Sequence, residues 1–92
     1  MEFYIARELF QMMTRNEERN EDDRYVFVDA QGTANARARQ LGEYLYEEGG
    51  DRLMTDVMSI LQDKVSTVGK GWMTIDLRQL EFCWNGIGEW MA

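Results

Sequence analysis

The sequence predicts a mainly α-helical single domain over residues 1–92, a small bundle of about four helices. Two observations carry this expectation. Apolar side chains recur at spacings of three and four in separate windows, the pattern of helices that each bury one face. Apolar residues make up 45% of the chain and aromatics 12%, which is material for a real core even at 92 residues.

The first helix is expected at 3–14, where Ile5, Leu9, Met12 and Met13 recur at helical spacing beside Phe3 and Phe10. Residues 16–23 then carry Glu17, Glu18, Glu21, Asp22 and Asp23 with no apolar side chain, so they read as a solvated acidic loop. A calcium loop would need a central glycine, and this stretch has none. Residues 24–29 contain Tyr25-Val26-Phe27-Val28 and read as extended. A lone strand cannot satisfy its backbone hydrogen bonds. Residues 72–75, Trp72-Met73-Thr74-Ile75, are the one candidate partner, so the two segments either pair or serve as ordered apolar connectors.

Thr33 follows Gly32 as a reasonable N-cap for a second helix, expected at 33–48. Ala34, Ala38, Leu41 and Leu45 share one face of it, and Arg39, Glu43 and Glu47 share another. Gly49-Gly50 supplies a residue able to take positive φ at the helix end and turn the chain. Asp51 can cap a third helix at 52–65, striped by Leu53, Val57, Leu61 and Val65 with Met54 and Met58 alongside. The short connection makes these two helices antiparallel neighbours. Gly69-Lys70-Gly71 lacks the spacing of a phosphate loop. Asp76 and Gln79 form a capping box for a last helix at 77–86, with Leu77, Leu80, Trp84 and Ile87 on one face. Trp90 folds back after Asn85-Gly86, and each buried tryptophan needs a partner for its indole N–H.

Charge and chemistry narrow the functions. Acidic residues number 17 against 10 basic, a net −7, which disfavours direct binding to a nucleic-acid backbone. The chain has no histidine and one cysteine, which removes His-centred acid–base work, most zinc sites and an intrachain disulfide. No enzymatic activity, cofactor or metal site is expected. Glu43, Glu47 and Glu48 on one helix end read as a solvated face, and Cys83 between Phe82 and Trp84 reads as a core thiol. No membrane span or secretory leader is expected, and a single cysteine fits a cytoplasmic protein.

The leading expectation is a non-enzymatic protein–protein interaction module, binding a partner or forming a homodimer. Its contact residues would be Trp72, Trp84, Trp90, Tyr44 and Tyr46, although the plainer reading of this aromatic set is a tryptophan-rich core. The alternative is an acidic effector or inhibitor, of the nucleic-acid-mimic type, docking on a basic partner.

Leu41-Gly42, Gly49-Gly50 before Leu53-Met54, and Cys83-Trp84-Asn85-Gly86-Ile87-Gly88-Glu89-Trp90 together resemble small uncharacterised bacterial proteins. Those carry a C-terminal Trp-Asp/Asn-Gly-Ile-Gly-x-Trp signature. The resemblance covers 33–91 and implies a helical hairpin followed by a Trp-rich helix; it implies no activity.

Overall fold

Residue spacing does set the helices, although not all of their ends. The computed structural model describes residues 2–14, 26–29, 31–68 and 71–90, the side chain of Trp72 excepted. It contains α1 (Glu2–Thr14), α2 (Ala36–Val68) and α3 (Gly71–Cys83), with no sheet among the described residues. The acidic loop expected at 16–23 lies outside the described residues.

In α1 the buried stripe is Ile5, Ala6, Leu9 and Met13. Phe10 packs at the edge of the core, with the Lys64 ammonium 5.6 Å from its ring centroid.

The kink in α2 follows from where its apolar residues fall. The first part buries Ala38, Leu41, Gly42 and Leu45, and the second buries Met54, Val57, Met58, Leu61 and Val65. Leu45 and Met54 lie two and a half turns apart, so on an unbroken helix they would point in opposite directions. Gly50 leaves the helical region at φ 68°, ψ −162°, and both stripes can then face one core. A straight helix of this length would run about 50 Å, against a longest molecular extent of 35 Å. The helices expected at 33–48 and 52–65 are both present and run together across the Gly50 kink, so the described residues form three helical elements, the second of them in two parts.

The caps differ from expectation. Asn35, not Thr33, starts α2: its Oδ1 accepts from the Ala38 amide at 3.0 Å. Thr33 belongs to a turn instead, its amide donating to Asp29 Oδ1 at 2.8 Å beside Gly32 at φ 84°. Asp51 Oδ1 is buried without a hydrogen-bond partner, so this oxygen makes no cap bond.

The largest difference is α3, which begins at Gly71 rather than 77. Residues 72–75 are helical, so the expected pairing of 24–29 with 72–75 does not form; 24 and 25 lie outside the described residues. Met73 extends the Leu77, Leu80 and Trp84 row backward by four, and all four side chains are buried. Burial on a helical stripe outweighs the extended preference of a β-branched and aromatic run. Asp76 is not a cap but lies within α3, fully buried.

Gln79 is likewise not part of a capping box. Its Oε1 accepts from the amides of Val26 and Phe27 at 3.1 and 3.3 Å, pinning that segment to α3. Phe27 is fully buried there, and the segment turns back through an isolated antiparallel bridge between Val28 and Ala34. One hydrophobic cluster takes in α1, both parts of α2, α3 and residues 26 and 27.

Candidate functional site

The C-terminal tryptophan unit is built from close approach. A Cβ at position 42 would collide with the Trp84 indole, so Gly42 opens a notch in α2 that the ring fills. Trp84 is fully buried, and its Nε1 donates to the Ala38 carbonyl at 2.9 Å. Trp90 is half-buried, edge-on to Trp84 with centroids 5.4 Å apart, and its Nε1 donates to the Glu81 carbonyl at 3.1 Å. Gly86 at φ 90° and Gly88 at φ 56° make the intervening turn, and Gly88 lies where a Cβ would collide with the Tyr46 ring. Arg39 closes the end of α3, its Nη1 donating to the Cys83 and Asn85 carbonyls, each at 2.9 Å.

Cys83 sits under this unit. Burial pushes its thiol up to about 11, outweighing the opposing charge of Arg39. It stays protonated near neutral pH, and a thiol is a poor nucleophile.

The structure places the expected contact residues in different surroundings. Trp84 is core, because its ring fills a notch and its N–H is used within the fold. Trp90 and Tyr46 join it at the same turn, with Tyr46 still 40% exposed. The Trp72 side chain lies outside the described residues. Tyr44, 42% exposed, belongs to a different place.

That place is a cleft of about 410 Å³ between α1 and the first part of α2. Tyr4 and Tyr44 wall it, the buried side chains of Ile5 and Leu41 floor it, and Glu8, Arg37 and Gln40 form its polar edge. Arg37 grips Glu8 with two bonds, Nε to Oε1 at 2.8 Å and Nη2 to Oε2 at 3.2 Å, and its Nη1 donates to Gln40 Oε1 at 2.9 Å. Glu8 raises the Arg37 pKa, by hydrogen bond first and by charge second. The pair is solvent-exposed, so it adds little stability. It does cancel the charges at the cleft and ties the two helices together across it.

Tyr4, Glu8, Arg37 and Gln40 were not read as site residues from sequence. One signal was available: Tyr4 lies outside the Ile5, Leu9 and Met13 stripe, where a large aromatic has no core to fill. Ile75 and Phe82 are also exposed, seven residues apart on one face of α3.

Among the described residues no group of three or more Cys, Asp or Glu comes together as a metal site. Glu43, Glu47 and Glu48 are exposed. No helix among the described residues is long and apolar enough to cross a membrane. Comparison with protein-family models, with curated proteins and with solved structures finds no match.

Proposed function

We propose that this chain is a non-enzymatic binding module that works through the aromatic cleft between α1 and α2, not through its C-terminal tryptophans. One observation carries the reading: Tyr4 stands 77% exposed beside an apolar recess floored by Ile5 and Leu41. A tyrosine ring at such a recess offers apolar area to a partner while its hydroxyl can still pair, which is why tyrosine is common at contact surfaces. The cleft lies within the size range of ordinary binding pockets.

Two further facts favour binding over catalysis. The sequence has no histidine, and its one thiol is held protonated to about pH 11. A buried, unreactive cysteine also suits a cytoplasmic setting.

The test is capture of binding partners by the immobilised protein. Replacing Tyr4 and Tyr44 together with Ala should abolish capture while leaving the circular dichroism spectrum unchanged. Replacing Phe82, exposed on α3 and not part of the cleft lining, with Ala should leave capture intact. Equal capture by the wild type and the double variant would reject the cleft.

A further inference from the structure

We infer that Gly50 is a hinge: α2 straightens there, and two straightened chains exchange halves, each packing the part before Gly50 on the other's part after it.

Gly50 alone separates the two parts of α2, being the one residue of Ala36–Val68 outside helical φ/ψ. Its φ of 68° with ψ of −162° is backbone that essentially only glycine adopts. Gly49 is held to glycine by a different contact, since a Cβ there would come within 2.8 Å of Leu53 Cβ. On a straight helix the same two positions lie one turn apart, with Cβ atoms about 5–6 Å from each other. The bent form therefore requires glycine twice, whereas a straight α2 requires it at neither position and would be favoured by alanine at both. Asp51 adds a third observation. Its Oδ1 is buried without a hydrogen-bond partner in the bent form. On a straight helix Asp51 would share the face of Glu47, Glu48 and Thr55, all of them exposed.

A single chain gains nothing by straightening, because the stripes that end at Leu45 and begin at Met54 would then face opposite ways and the core would open. What fits each bared stripe is the surface that covers it in the bent chain, and a second copy carries that surface. Trp84 on the Ala38 carbonyl, Gln79 on the Phe27 amide and Lys64 over the Phe10 ring each join a residue before Gly50 to one after it. All three are remade between chains when halves are exchanged, with no new contact surface required. Every residue lining the aromatic cleft precedes Gly50, so the exchanged dimer presents two intact clefts.

The test compares the full wild-type chain with Gly49→Ala, Gly50→Ala and a variant carrying Gly-Ser-Gly inserted after Gly50. Each is refolded over a range of concentrations and weighed by native mass spectrometry. A dimer contains two hinges, so each alanine should raise the dimerisation constant by at least about tenfold, with helix content by circular dichroism retained. The insertion interrupts the straight helix and lets the bent form close, and it should hold the chain as a folded monomer. Heavy- and light-isotope dimers should mix slowly in native buffer and faster in mild urea, because exchanging halves breaks the core. Alanine variants that both stay monomeric, whether native or destabilised, overturn the hinge. A dimer that the insertion leaves in place, or one whose chains mix as fast in buffer as in urea, is a surface contact and overturns it too.

Discussion

Gly42 shows how one side chain's absence can organise a fold. Alanine is the better helix former by about 1 kcal/mol, so Gly42→Ala would stabilise an isolated α2. In the folded chain its methyl would strike the Trp84 indole, and Trp84 is boxed in by Trp90 and by its bond to the Ala38 carbonyl. Overpacking should win. Urea denaturation should show a loss of about 1–3 kcal/mol, whereas a gain would mean that Trp84 has room to retreat. Cys83 gives a second prediction at this scale. Its folded pKa lies above that of the unfolded thiol, so the unfolded chain loses its proton first as pH rises. Any stability carried by the neutral thiol is complete below pH 9.0 and drains away up to about pH 11. Alkylation of the native protein at neutral pH should accordingly be slow and should speed up on unfolding; fast alkylation of folded protein would contradict the burial. The need for an indole partner at Trp84 was legible in the sequence. Its identity was not, because Ala38 and Gly42 meet Trp84 across more than forty residues of chain.

Among the elements, the sequence revealed the helical stripes better than their beginnings. Gly49-Gly50 marked a break, and Gly50 does take a positive φ. Thr33 and Asn35 are both good caps by residue type, and tertiary structure chooses between them. The bridge from Val28 to Ala34 holds position 34 extended, so α2 starts one residue beyond Asn35. Asn35→Ala should therefore cost about 1 kcal/mol in thermal or chemical denaturation. Thr33→Ala should cost clearly less, since the turn uses the Thr33 backbone, and the reverse order would put the cap back at 33. Asp76 misled for a related reason. An acid followed three residues later by Gln looks like a capping box, yet Met73 extends the apolar row one turn earlier and Gln79 is drawn away to the amides of Val26 and Phe27. Local signals lost to burial there because the competing contacts come from distant parts of the chain.

For the whole molecule, the aromatic excess divides into two populations. Trp84 and Trp90 are spent on packing around Gly42 and the Gly86–Gly88 turn, while Tyr4 and Tyr44 remain outside as walls of the cleft. The expected contact set mixed the two populations, because Trp84 is core while Tyr44 is exposed beside Tyr4. What separated the populations was which rings meet a glycine notch, and only the fold determines that. The most direct measurement is capture by the immobilised wild type and by the variant with Tyr4 and Tyr44 both replaced by Ala. The account predicts capture by the wild type and none by the folded variant; equal capture by the two proteins would contradict it.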